Sequence, residues 1–260
     1  MTSFVFAGPT LGKEETETAL DGICLPPASQ GDIYRAALRG PRAIGIVDGY
    51  FEAVPAVWHK EILWAMSQGV YVFGSASIGA LRAAELAPFG MRGVGWIYRA
   101  YLEGLLQDDD EVAVTHGPAE LAYPATSEAM VNIRRTLASA VESGVVPREY
   151  GEVMTAVAKR LFFKERGFPL VIERARGLGV PESVLDAFSR WLPEGRVDQK
   201  HLDGREMLQV MKGFLAGDPA PMAVSYVFEN TYMWSECQRL VRQDRRTSDI
   251  DGLQADRRAP

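Results

Sequence analysis

The sequence predicts an α/β protein: a mainly parallel sheet flanked by helices in the N-terminal part, followed by an all-helical C-terminal region. Three observations carry this. Short apolar runs at 3–7, 22–25, 42–47 and 70–73 each stop at Gly, Pro or Asp, as buried strands do. Helix-spaced segments lie between them, and strands alternating with helices favour a parallel sheet with helices on its faces. After Pro124 the strand-like runs cease and only helical spacing remains.

Taken in order, SFVFA (3–7) ends at Gly8-Pro9 and GICL (22–25) at Pro26-Pro27. Asp32 can cap a helix to about Leu38, closed by Gly40-Pro41. RAIGIV (42–47) ends at Asp48-Gly49. Pro55 suits a helix start and Gly69 a helix end, giving a helix over 55–68 before the strand VYVF (70–73). A small-residue turn at 74–77 leads into a helix over 78–87. Residues 94–107 read as an amphipathic helix and EVAVT (111–115) as a further strand. Helices are expected at 125–143, 148–165, 169–178, 181–191 and 203–216, and at 224–241 from the spacing of Tyr226, Asn230, Trp234 and Cys237. The domain reading is an α/β core over 1–122 and a helical region over 123–241. The tail 242–260 is rich in Arg and Asp and poor in apolar residues, a composition expected to be disordered.

Composition narrows function. The chain has 260 residues, 47% hydrophobic and 24% charged, with a net charge of −6. Residues 1–122 hold 8 basic and 15 acidic side chains, and 123–260 hold 20 and 19. Neither half offers the basic surface that a phosphate backbone requires, so no nucleic-acid partner is expected. Two cysteines rule out a disulfide framework. The uncharged stretch 62–81 is interrupted by serines and glycines and reads as helix end, strand and turn rather than a membrane span. With no signal-like N-terminus, the expected location is the cytoplasm.

The segment 70–86 reads strand, small-residue turn, helix. Ser77 is at the centre of S-x-S-x-G, with Ser75 and Gly79 two residues to either side. That is the mechanical content of a nucleophile elbow, which exposes a hydroxyl between a strand end and a helix start. Three readings stay open here: a nucleophile, an anion-binding turn, and a plain strand–helix connection.

In the helix over 55–68 apolar residues surround the cylinder, and His59, Lys60 and Glu61 break that pattern. Val57, Leu63, Ala56 and Trp64 neighbour Lys60 at three and four residues' distance, a setting that favours a neutral amine. A base acting near pH 7 needs its pKa to fall from ~10.4 to about 7–8, roughly 4 kcal/mol of differential solvation. The alternative is that Lys60 reaches water and Glu61 pairs with an arginine. Asp48 and Gly49 follow a strand and can line the same sheet edge as Ser77. Arg82 and Glu85, three apart on a helix, can pair. His116 and His201 are triad candidates without fixed geometry. The run Asp108, Asp109, Asp110, Glu111 can take a hard cation but is more simply a solvated loop. No motif calls for a cofactor or a metal.

The runs VFAGPTL (5–11), VDGYFEAVPAVWHKEI (47–62), GSASIGALRAAELAPFGMRGVG (74–95) and DDEVAVTHG (109–117) resemble the TfuA family over about the first 120 residues. Ser75 and Ile78 depart from the Ala and Met expected in relatives. The resemblance implies an accessory protein of peptide-backbone thioamidation that acts beside a YcaO-type enzyme and on a peptide substrate. It implies that a ThiS-like carrier is hydrolysed at its C-terminal thiocarboxylate to release sulfide. It further implies a Ser–Lys pair, matched here by Ser77 and Lys60. Turn N–H groups at Gly49, Ile78 and Gly79 are the expected oxyanion donors for such a pair. His59, Asp48, Ser75, Arg82 and Glu85 are possible supporting residues. A non-catalytic adaptor for carrier and peptide is the main alternative, and a nucleotide or phosphate site at 74–79 a further one.

Overall fold

Five strands alternate their side chains between two apolar layers. The computed structural model describes residues 2–52 and 54–243. The strands are β1 (Ser3–Phe6), β2 (Ile23–Leu25), β3 (Ala43–Ile46), β4 (Tyr71–Ser75) and β5 (Arg92–Val94). All pairings are parallel and the order is β2-β1-β3-β4-β5. Phe4, Phe6, Ile44, Ile46 and Val72 meet one helical layer, while Val5, Ala43 and Phe73 meet the other. A sheet buried on both faces needs near-continuous apolar strands, which is why the strand signal was legible.

The first layer holds α2 (Asp32–Ala37), α3 (His59–Ser67) and the inner side of α4 (Ile78–Leu86). The second holds α1 (Lys13–Leu20) and a helix from far along the chain, α10 (Gln199–Ala216), whose Met207, Leu208 and Met211 lie on the sheet. Thus the change of pattern near residue 122 separates kinds of secondary structure, and the chain later returns to complete the core. Beside α4 runs α5 (Trp96–Leu102). The helices α6 (Met130–Glu142), α7 (Arg148–Arg160), α8 (Phe168–Gly177) and α9 (Glu182–Gly195) share an apolar core of their own, including Ile133, Leu137, Met154, Val171, Leu185 and Phe188. Finally α11 (Tyr232–Gln243) seats Trp234 and Cys237 against Tyr34, near Trp58 and Trp64.

Several expectations are corrected. Residues 111–115 are not a strand: Asp109–Glu111 form a 3-10 turn, and the fifth strand is Arg92–Val94. The run 108–111 is solvated only in part: Asp108 and Asp109 are exposed, whereas Glu111 is buried. Lys159 Nζ lies 3.0 Å from both Asp108 and Glu111 and also pairs with Asp110. Arg134 grips Glu111 with two nitrogens at 2.9 and 2.8 Å, and the buried Arg166 bonds Asp110 at 2.7 Å. The carboxylates of Asp108, Asp110 and Glu111 lie within 4.8 Å of one another, but the ammonium of Lys159 sits among them. Their charges are neutralised by α6, α7 and the following turn, which fastens the helical region to the core. The helix expected from 55 starts at His59, the one expected over 94–107 spans 96–102, and the one expected from 203 starts at Gln199. Residues 224–231 are not helical, and of the expected disordered tail residues 244–260 lie outside the described residues. No helix among the described residues is long and apolar enough to cross a membrane.

Candidate functional site

In an open parallel sheet of this order the chain leaves β1 toward β2 and later returns to β3 on the other side. A crevice therefore opens at the carboxyl ends of β1 and β3. Here it is a cavity of about 540 Å³, lined by Pro9 after β1, Asp48, Gly49 and Tyr50 after β3, Ser77 and Ile78 after β4, and His116 and Lys200 from later segments.

The turn after β4 is built for a projecting side chain. Ala76 has φ +63°, and Ser77 N–H donates to the Ser75 carbonyl at 2.7 Å, closing a three-residue turn around a left-handed centre. This is the rarer, strained γ-turn. Its tightness needs small neighbours. A Cβ on Gly79 would lie 1.7 Å from the Ile46 carbonyl oxygen, and one on Gly74 would lie 2.1 Å from the Gly79 oxygen. Ser77 occupies the N-cap of α4 but makes no capping hydrogen bond, although a serine there normally bonds the first-turn N–H groups. Its hydroxyl has no partner among the described residues and opens on the cavity.

Of the expected oxyanion donors, the N–H groups of Gly49 and Ile78 are free of protein acceptors among the described residues and belong to residues lining the cavity. Gly79 is different: its N–H donates to the Val47 carbonyl at 3.3 Å. Its contribution is the close approach of α4 to β3. Ser75 is fully buried, with its hydroxyl 2.9 Å from the carbonyl oxygens of Val94 and Asp203. It ties β4 to β5 and α10 and does not line the cavity.

Asp48 is 1% exposed and organises the crevice. One carboxylate oxygen accepts the N–H groups of Gly8 and Thr10 at 3.0 Å, and the other accepts the Thr10 hydroxyl at 2.6 Å. This stitches the ends of β1 and β3 together. At the cavity rim, Arg82 bonds Glu85 at 2.7 Å and the Val57 carbonyl at 2.9 Å, and His59 Nε2 meets Glu85 at 2.7 Å. Burial pushes the Glu85 carboxyl up, but His59 and Arg82 outweigh it and hold it below the usual range.

Lys60 is not brought to Ser77. Its ammonium lies over the Phe228 ring, 4.8 Å from the centroid, and the cavity lining among the described residues does not include it. It belongs to the aromatic cluster under α11. Nor does Glu61 pair with an arginine among the described residues. It accepts backbone N–H bonds from Gly31, Ile33, Tyr34 and Trp58, capping α2 and α3 together.

The lysine that reaches the cavity is Lys200, in the first turn of α10. It is 4% exposed, and its amine donates to the Val112 carbonyl at 3.0 Å and lies 3.9 Å from Asp48 Oδ1. Burial pulls its pKa below the ordinary lysine value, against the opposing pull of Asp48, Asp198 and Glu128. The positive end of the α10 dipole acts in the same direction as burial. The sequence contained a signal for it: Lys200, Asp203, Gly204, Met207, Leu208 and Met211 form one helical stripe, and all are buried. His116 also lines the cavity. Its Nδ1 lies 2.8 Å from the Gly117 carbonyl, which can only accept, so the proton is assigned to Nδ1 and Nε2 is left as an acceptor. His201 lies elsewhere, paired with Glu15 at 3.0 Å.

Residues 48–167 are similar to the family model described as TfuA-like protein. The match takes in Asp48, Gly49, Ser77 and His116 and extends through α7, farther along the helical region than the resemblance reached; Lys200 lies beyond it. No curated protein matches the chain.

Proposed function

We propose that this TfuA-like chain is a serine hydrolase in which Ser77 is the nucleophile and Lys200, rather than Lys60, is the base. The carrying observation is a single one: a hydroxyl on a strained turn, without a partner among the described residues, opens on the same cavity as a buried amine whose nearest carboxylate, Asp48, is 3.9 Å away, beyond hydrogen-bond distance. Neutral Lys200 takes the Ser77 proton as the oxygen attacks an acyl carbon. The Gly49 and Ile78 N–H groups hold the oxyanion, and water then clears the acyl-serine. His116 Nε2 is a second acceptor on the same cavity for activating that water.

The resemblance to the TfuA family supplies the substrate for this reading: the C-terminal thiocarboxylate of a ThiS-like sulfur carrier, cleaved beside a YcaO-type enzyme in peptide-backbone thioamidation. Sulfide is a good leaving group, so little acid assistance is needed at that step. Free sulfide diffuses away, so cleavage has to occur near the YcaO active site. The test is sulfide release from thiocarboxylated carrier. Ser77→Ala and Lys200→Met are each expected to abolish it while carrier binding persists. Undiminished release in either variant removes that residue from the mechanism. Undiminished thioamidation by the double variant replaces the hydrolase with a non-catalytic adaptor.

A further inference from the structure

Lys200 faces three carboxylates and touches none of them directly. Asp48 lies nearest at 3.9 Å, and its oxygens are taken up by Thr10 and Gly8. The other two, Glu128 and Asp198, are held by one side chain from α6. Asn132 Nδ2 donates to Glu128 Oε1 at 2.9 Å and to Asp198 Oδ1 at 3.1 Å, while its Oδ1 accepts the Lys200 backbone N–H at 3.2 Å. Asn132 is 4% exposed, and its bonds to Glu128 and to the Lys200 N–H are buried, while Asp198 itself is exposed. Arg196 takes the remaining Glu128 oxygen at 2.5 Å, and the His201 N–H takes Asp198 Oδ1 at 3.1 Å. Lys200, Asn132, Glu128, Asp198 and Arg196 border a second, smaller chamber of about 40 Å³ on which Thr10 also opens. Lys200 thus stands between the main cavity, where Asp48, Tyr50, Glu52, Arg82, Glu85, Asp108, Asp109 and His116 are the other titratable or charged lining groups among the described residues, and a polar chamber supplied by the helical region.

We propose that Asn132 is the positioning residue that keeps Glu128 and Asp198 from forming a direct ion pair with Lys200, so that the helical region completes a site whose nucleophile belongs to the sheet. The proposal rests on Lys200 being the base of Ser77. A direct carboxylate partner would hold the amine protonated and unable to take the Ser77 proton. Removing the Asn132 amide frees both carboxylates to turn toward it. Asn132 also fixes the first turn of α10 through the Lys200 N–H, so it sets both the direction of the amine and its company.

The test needs no natural substrate. A fluorophosphonate phosphonylates an activated serine: the Ser77 oxygen bonds to phosphorus, fluoride leaves, and the Ser77 proton passes to Lys200. Labelling rate against pH then reads the protonation of Lys200 as a limb that falls tenfold per pH unit on its acid side. In Asn132→Ala the limb is expected to move up by about one pH unit, about tenfold slower on the limb, with the alkaline plateau kept. Adding Glu128→Gln to that variant is expected to return much of the shift. Glu128→Gln alone is expected to move the limb down, and it keeps the inference testable if Asn132→Ala does not fold. An unmoved limb in both single variants overturns the inference, as does a lowered plateau without a shift in Asn132→Ala. Absence of Ser77 labelling in the parent chain at every pH is a different result: it overturns the hydrolase reading itself, and this inference with it.

Discussion

Lys60 and Lys200 occupy the same position in two helices, the second residue of α3 and of α10, yet their surroundings make them chemically different. Lys60 points its ammonium at the face of Phe228, 4.8 Å from the ring centroid, an attraction between a cation and the ring quadrupole. Lys200 is enclosed, bonded to one carbonyl and kept out of contact with its carboxylates, an arrangement that favours the neutral form. Apolar neighbours along one helix therefore do not identify a base. What decides is which groups surround the amine, and for Lys200 these come from distant parts of the chain, the Val112 carbonyl at 3.0 Å and Asp48 at 3.9 Å.

The comparison can be broken at several points. The largest expected effect is on catalysis: Lys200→Met lowers the rate of Ser77 modification by on the order of 10²–10⁴, the range for a lost general base, whereas Lys60→Met stays within about twofold. Fluorophosphonate labelling rates measure both. Next is the elbow. Gly79→Ala places a Cβ against the Ile46 carbonyl, and a loss of about 3 kcal/mol or more is expected in urea unfolding, since β3 backbone cannot yield as a side chain does. Smaller is Arg166→Met, which leaves Asp110 with Lys159 and takes the buried donor from the Ala158 and Leu161 carbonyls, at a cost of about 1–3 kcal/mol.

A smaller effect separates the two kinds of charge cluster by pH. Burial raises the Asp110 carboxyl, but Lys159 and Arg166 more than offset this and hold it below the usual range. Its contribution to stability is complete above the unfolded aspartate value, ~3.9, and is lost as pH falls through the lower folded value. Acid unfolding of Asp110→Asn is therefore expected to lack this part of the pH dependence. Lys200 has a slope of the same sign in a higher pH window: its folded value is lowered, so the unfolded chain binds the proton more readily. Stability contributed by this group rises with pH from the folded value up to ~10.4, and Lys200→Met flattens that rise. The smallest effect is Lys60→Met on stability, about 0.5–1 kcal/mol for the lost ring contact.

The sheet could be read in the sequence because strands buried on both faces cannot hide their apolar runs. β5 could not, since Arg92-Gly93-Val94 is only three residues and carries one apolar side chain. EVAVT imitates a strand by alternation, but its Glu111 is claimed by Arg134 and Lys159, contacts visible only in three dimensions. α1, with the sequence KEETETAL, gives little periodic signal because it buries only Thr16 and Leu20. At the site, Ser77, Gly49, Ile78 and Asp48 were legible because they follow strand ends, where the topology gathers them. Lys200 was not, because α10 was expected to begin at residue 203, leaving its stripe one turn short. Gly79 was legible as a small residue but not in its role, since only the packing shows its N–H engaged with Val47.

The account turns on the coupling of the Ser77 hydroxyl to the Lys200 amine. Mass spectrometry after exposure to a fluorophosphonate addresses it directly. The account predicts one adduct, on Ser77, in the parent chain and in Lys60→Met, with next to none in Lys200→Met at neutral pH. An adduct that survives Lys200→Met at full rate, or disappears in Lys60→Met, would contradict it.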